Sequence, residues 1–182
     1  VVKGNSEYTI NEVNIRLEGN RGNDFIGYGA GITCVDNAKV TINNSDIHLA
    51  GITRCAFHGG GNSITTLNNC RISNISPDSD KHKGRSFVAF WQLPLIGTNR
   101  STQCCDNATI YYNSCRIESN GWGVCSIDGG RDTHMYFKDS TLELKGARAY
   151  GYGAFSIGKA FVSYDNCTVN VNGFPLLIGG HG

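Results

Sequence analysis

The chain has 182 residues, with 16 Lys and Arg against 15 Asp and Glu and a formal charge of +1. That length builds one domain with a sizeable core, and that charge supplies no overall field for nucleic acid or an acidic partner. Gly is high at 24, Pro low at 3 and charged residues only 17%, a mixture that suits short strands and tight turns and opposes helices and membrane spans.

The chain opens at Val1 with neither Met nor a signal peptide, so we expect a processed form or a piece cut from something longer. Gly179-Gly180-His181-Gly182 at the other end looks like an interior turn.

In chain order, the first recognisable phrase is Glu12-Val13-Asn14-Ile15-Arg16-Leu17. It has a polar corner, a small residue, then alternating apolar side chains. It returns as Asn44-Ser45-Asp46-Ile47-His48-Leu49, Asn69-Cys70-Arg71-Ile72-Ser73, Ser114-Cys115-Arg116-Ile117-Glu118, Asp139-Ser140-Thr141-Leu142-Glu143 and Asp165-Asn166-Cys167-Thr168-Val169. The small residues Val13, Ser45, Cys70, Cys115, Ser140 and Cys167 are separated by 32, 25, 45, 25 and 27 residues. A fixed short strand with a period near 25 and free insertions marks a solenoid.

Between the markers lies a second phrase: Gly29-Ala30-Gly31-Ile32, Cys55-Ala56-Phe57-His58, Pro94-Leu95-Ile96-Gly97, Gly123-Val124-Cys125-Ser126, Gly153-Ala154-Phe155-Ser156 and Pro175-Leu176-Leu177-Ile178. A third run precedes every marker after the first, as in Lys39-Val40-Thr41-Ile42 and Phe161-Val162-Ser163-Tyr164. Asn43-Asn44, Asn68-Asn69 and Asp165-Asn166 make the corners, where Asn and Asp tolerate left-handed backbone and stack as a polar ladder. A helix fails on the punctuating Gly and Asn, and a sandwich does not require one order of three phrases in every copy. The expected fold is all-β: a right-handed parallel β-helix of about six turns, with three short strands per turn. It forms a single domain over 1–182, with a long loop insertion at about 76–100.

Eight cysteines do not make this a small disulfide scaffold. Cys70, Cys115 and Cys167 occupy one place in the repeat and are expected as part of an inward ladder of small apolar side chains, reduced and inert. Cys104-Cys105 is read as a vicinal pair in a loop, open to a bridge with another loop.

Chemistry is sought where copies differ. Asn99-Arg100-Ser101-Thr102, Gly121-Trp122-Gly123, Asp128-Gly129-Gly130-Arg131-Asp132 and Arg148-Ala149-Tyr150-Gly151-Tyr152 enrich the fourth and fifth turns in polar and aromatic groups. Trp122, Tyr150 and Tyr152 offer flat faces for sugar CH groups, with Asn99 and with Trp91 from the insertion as further contacts. Asp128 and Asp132 are a candidate carboxylate pair for acid/base work or for Ca²⁺, with Asp24 or Asp36 approaching from earlier turns. Arg100, with Arg131 or Arg148, would neutralise a uronate. His58 and His134 are candidate bases. Against each stands a plain structural use: edge cover for the aromatics, turn chemistry for Asp beside Gly, a solvated face for the arginines and hydrogen-bonded surface for the histidines. Sequons begin at Asn43, Asn74, Asn99, Asn107 and Asn166, and Asn-rich corners produce these by chance. Thr is too scattered for a flat ice- or mineral-binding ladder.

The repeat resembles the pectin-lyase-like superfamily of parallel β-helices over the whole chain. Gly27-Tyr28-Gly29-Ala30-Gly31, Leu93-Pro94-Leu95-Ile96-Gly97-Thr98-Asn99-Arg100, Gly121-Trp122-Gly123-Val124 and Tyr150-Gly151-Tyr152-Gly153 look like motifs of secreted bacterial and fungal β-helix proteins. The resemblance implies a secreted or cell-surface setting and a polysaccharide ligand. It supplies no mechanism, because the Asp triad and Arg-x-Lys of polygalacturonases and the Asp-His motif of pectate lyases are missing. The expected function is a carbohydrate-active β-helix that binds a polysaccharide or cell-surface glycan in a groove on the fourth and fifth turns. In an enzymatic form it would cleave that glycan by lyase or glycoside-hydrolase chemistry. Arg100 and Asp128 are the candidate catalytic groups, and no cofactor is required beyond the Ca²⁺ the carboxylates would suit. The alternative is a non-catalytic surface adhesin or binding module, and a third reading is a coil that only displays loops.

Overall fold

A computed structural model describes residues 1–19, 30–51, 55–75, 100–119, 123–128, 132–144, 152–157, 159–171 and 174–179. Among these are 18 strands and no helix. The first nine are β1 (Glu7–Asn11), β2 (Asn14–Gly19), β3 (Ile32–Cys34), β4 (Lys39–Asn43), β5 (Asp46–Gly51), β6 (Cys55–Gly59), β7 (Ile64–Asn68), β8 (Arg71–Ile75) and β9 (Arg100–Cys105). The next nine are β10 (Thr109–Asn113), β11 (Arg116–Ser119), β12 (Gly123–Asp128), β13 (His134–Lys138), β14 (Thr141–Leu144), β15 (Tyr152–Ile157), β16 (Phe161–Asp165), β17 (Thr168–Asn170) and β18 (Phe174–Gly179).

Every third strand joins the same sheet. Sheet I runs β1-β4-β7-β10-β13-β16, sheet II β2-β5-β8-β11-β14-β17 and sheet III β3-β6-β9-β12-β15-β18. All pairings given by the register are parallel, as between β4 and β7 or β11 and β14. The chain therefore winds as a parallel β-solenoid. No helix among the described residues is long and apolar enough to cross a membrane.

Equivalent positions stack into ladders because register is conserved from strand to strand. The central inward ladder of sheet II is Ile15, Ile47, Ile72, Ile117, Leu142 and Val169, and its four middle members are fully buried. Sheet I contributes Ile10, Ile42, Leu67, Tyr112, Phe137 and Tyr164 in one ladder. The Tyr112 and Phe137 rings stack with centroids 4.6 Å apart, and the Tyr112 hydroxyl donates to Thr102 Oγ1 at 2.7 Å. The neighbouring inward ladder contains one discord. Thr65 is fully buried between Val40 and Ile110, and its hydroxyl has no hydrogen-bond partner among the described residues. A buried unmade hydroxyl bond costs about 1–3 kcal/mol. Thr65→Val keeps the shape and should raise the unfolding free energy in urea by about 1 kcal/mol.

The corners explain the marker residues. Glu12, Asn44, Asn69, Ser114, Asp139 and Asn166, each just before a marker, all have left-handed backbone with φ of 50–53°. Asn and Asp enter that region most readily among side-chain-bearing residues, which is why they dominate there. The marker then turns inward and donates to the carbonyl two residues back: Ser45 to Asn43, Cys70 to Asn68, Cys115 to Asn113, Ser140 to Lys138 and Cys167 to Asp165. The ladder is thus inward and reduced, as expected, but its members are donors and not merely small apolar residues. That shared role accounts for the exchange of Ser and Cys along it. Cys115 is held as a thiol: its hydrogen bond with Cys70, then burial, push its pKa well up. Cys115→Ser should be nearly neutral in urea unfolding, whereas Cys115→Val should cost about 0.5–1 kcal/mol, because it removes the thiol's bonds to the Asn113 and Leu67 carbonyls while the Asn113 carbonyl keeps the Asn69 N–H.

Asparagine ladders line this corner and one other. Asn43, Asn68 and Asn113 each donate from Nδ2 to the Oδ1 of the Asn one rung earlier, beginning at Asn11, at 2.8 Å. Asn37, Asn62 and Asn107 do the same from Asn5 at 3.0 Å.

Several sequence expectations shift. A third run also precedes the first marker, as β1. The strand between β8 and β10 is Arg100–Cys105, later than the Pro94–Gly97 phrase, which lies outside the described residues. Cys104 and Cys105 therefore end a strand. None of the seven cysteines whose side chains are described forms a disulfide. Thr9, Thr41 and Thr66 do align as a short outward ladder on sheet I, continued by Tyr111 and Tyr136. The expected 76–100 insertion lies outside the described residues except for Arg100.

Candidate functional site

The residues singled out from sequence divide in two. Trp91, Asn99, Trp122 and Tyr150, with Asp24, Arg131 and Arg148, lie outside the described residues. Arg100, Asp128 and Tyr152 are placed by backbone alone, on sheet III. Arg100 opens β9 and Tyr152 opens β15. Cys125 pairs with Thr102 and Gly123 with Tyr152, so Arg100, Gly123 and Tyr152 share one end of the sheet. Asp128 pairs with Cys105 at the other end, five residues along the strands or about 16 Å away.

The remaining candidates have structural surroundings. Asp36 has φ of 61° and accepts the Gly4 N–H at 2.9 Å. Asp132 is exposed and its N–H donates to Asn107 Oδ1 at 3.4 Å. His134 lies on the outer face of sheet I, 3.0 Å from the Asp132 carbonyl and parallel to the Tyr136 ring. Asn43 and Asn107 belong to the amide ladders, and Asn74 is fully buried, so these sequons serve the fold. No group of three or more His, Cys, Asp or Glu side chains among the described residues is arranged to hold a metal ion.

A different cluster emerges on the outer face of sheet II. Its two outward rows run Asn14, Asp46, Arg71, Arg116, Thr141, Thr168 and Arg16, His48, Ser73, Glu118, Glu143, Asn170. Alternation dictates this: Ile72 and Ile117 point inward, so the residues on either side of each point out. Polar side chains on an outer face need no explanation, but burial there does. Ser73 and Glu118 are each only 2% exposed.

Glu118 is gripped on both oxygens. Arg116 Nε donates to Oε1, and Arg71 Nη2 lies 3.3 Å from Oε2. Arg116 Nη2 also donates to Glu143 Oε2 at 2.8 Å, so one guanidinium bridges carboxylates on adjacent strands. Its pKa is raised by Glu118 first, then Glu143. Both arginines remain more than half exposed. Beside them His48 Nδ1 lies 2.6 Å from Ser73 Oγ, and Arg16 pairs with Asp46 at 3.3 Å. The result is a continuous strip of alternating donors and acceptors across five strands.

The geometry limits the chemistry. Ser73 stands between His48 and Glu118 in its row, whereas a serine-hydrolase relay needs the imidazole between hydroxyl and carboxylate. Glu118 and Glu143 occupy neighbouring strands about 4.8 Å apart, but Arg116 bridges them and engages both. The strip is a network of mutually paired donors and acceptors. Sequence reading passed over it because these residues sit inside the repeated phrase. The signal was present: at the third position after each marker stand Arg16, His48, Ser73, Glu118, Glu143 and Asn170, a chemically varied set on an otherwise uniform strand.

No known protein family, curated protein or solved structure matches the chain.

Proposed function

We propose that the chain is a carbohydrate-binding right-handed parallel β-helix of six turns, of the pectin-lyase-like type, acting at an extracellular or cell-surface glycan. The observation that carries this reading is the Arg71–Glu118–Arg116–Glu143 network beside His48 and Ser73. A guanidinium has five N–H donors, and the carboxylates engage only some of those on each arginine. Locked by Glu118, the two half-exposed arginines present donors in fixed directions at little entropic cost on binding. Sugar hydroxyls, which accept and donate in close pairs, complement such a strip, and an anionic sugar would add charge attraction. Arg100 and Tyr152, at one end of sheet III, would extend the site, with Trp122, Tyr150, Asn99 and Trp91 as the proposed stacking and polar contacts.

Binding without turnover, as in a surface adhesin or binding module, is the form favoured by the described residues, because both oxygens of Glu118 are held by arginines. In an enzymatic form, lyase or hydrolase chemistry would fall to Arg100 and Asp128. One incubation separates the forms: retention of the protein by a panel of neutral and uronate polysaccharides, followed by assay for new reducing or unsaturated ends. We expect retention on at least one polysaccharide and no new ends. Retention on none would sink the carbohydrate reading, and new ends would sink the binding-only form.

A further inference from the structure

Away from the sheet II strip, one end of sheet III gathers a thiol, an imidazole and a carboxylate. Cys105 closes β9, with Sγ 3.8 Å from His58 Nε2, 3.5 Å from the Gly59 carbonyl oxygen and 3.9 Å from Asp106 Oδ2. Asp106 is fixed by accepting the Gly61 N–H at 3.0 Å. Gly60 borders the pair closely: a Cβ there would stand 3.3 Å from both Cys105 Sγ and His58 Nε2. Cys105 also differs from its relatives in access. Cys34, Cys55, Cys70, Cys104 and Cys115 are buried, while Cys105 and Cys167 are partly exposed. Cys167 donates to a corner carbonyl and has no imidazole partner among the described residues.

We propose that Cys105 and His58 form a reactive thiol site that takes electrophilic carbon compounds bearing a leaving group. In the reaction His58 Nε2 receives the Cys105 proton and the thiolate sulfur bonds to the carbon. The bond to the leaving group breaks with its electron pair, and the imidazolium returns its proton to the leaving group or solvent. An adjacent imidazolium favours thiolate over thiol. Asp106 is the titratable side chain that faces the pair; Asp36 lies at the same corner, Cys104 is buried on the inward face of β9, and Asp128 is the backbone register partner of Cys105 on the neighbouring strand. Burial pushes the Cys104 thiol well up, aided by the charges of Cys105 and Asp106, so Cys104 stays protonated and out of the reaction.

The test is timed alkylation of the native full chain with iodoacetamide, read cysteine by cysteine by peptide mass mapping. Cys105 should react at least ~10-fold faster than Cys167, with a half-maximal rate below the ordinary thiol value of about pH 8.5. In His58→Gln the rate at Cys105 should fall to that of Cys167, and its profile should move up to the ordinary value. The proposal is overturned if Cys105 reacts no faster than Cys167, or if His58→Gln leaves rate and profile unchanged. Should that variant not fold, the native pH profile decides alone: a midpoint at or above about 8.5 overturns it.

Discussion

Ile117→Ala should lower the unfolding free energy by about 3–4 kcal/mol, the cost of a fully buried isoleucine whose cavity cannot collapse. Ile117 lies in the middle of the sheet II ladder, between Ile72 and Leu142, and is fully inaccessible. The inward ladders of the three sheets fill one core, and each turn of a solenoid packs only on its neighbours. The ladder rungs above and below are held in register, so they cannot move in to fill the space. Ile15 occupies the same ladder position in β2, has one register neighbour among the described residues, Ile47, and is half-buried. Ile15→Ala should cost under ~2 kcal/mol for that reason. Urea unfolding of both variants reads the contrast. Equal losses would mean that stability is not organised by stacking. Against a total of about 5–15 kcal/mol for a typical domain, the Ile117 loss alone would consume a large share.

If the strip binds a glycan as proposed, replacing Arg71 and Arg116 together by Ala should weaken affinity on the order of 100-fold, since each removes charged hydrogen bonds worth roughly a factor of ten or more. The same change leaves Glu118 buried without its two guanidinium partners, which is unfavourable for a carboxylate. Stability at neutral pH should therefore fall, and should be largely regained when Glu118→Gln is added. Affinity should not return with it, because Gln restores no donors toward the ligand. That split distinguishes a binding role for the arginines from a structural one. Lys39→Ala, which removes a cation from the exposed face of sheet I, should leave affinity unchanged. Native affinity in the double arginine variant, or an equal loss in Lys39→Ala, would contradict the assignment.

The fold was legible because a solenoid writes itself repeatedly. The order of three phrases, the Asn and Asp corners and the inward small residue each recur, and the sheets, left-handed corners and marker ladder follow from them. What escaped was local. Tyr8-Thr9-Ile10 was not read as a strand because no complete rung precedes it. Arg100–Cys105 was displaced because Pro94-Leu95-Ile96-Gly97 imitates the second phrase more closely than the strand itself does. The site was harder for a physical reason. Regular repetition draws the eye to residues outside it, such as Trp122 and Asp128, whereas a ligand-binding strip on a solenoid is built from the outward positions within the repeat. Arg116 and Glu118 flank the ladder residue Ile117 on β11, and only the coiling of the chain brings Arg71 and Glu143 to them.

The measurement that tests the central claim most directly is amide chemical-shift mapping of the labelled chain titrated with an oligosaccharide from the polysaccharide it retains. The account predicts saturable shifts centred on His48, Arg71, Ser73, Arg116, Glu118 and Glu143 of sheet II, with sheet I silent. Shifts confined to sheet I, or none at a concentration where the native chain is retained, would contradict it.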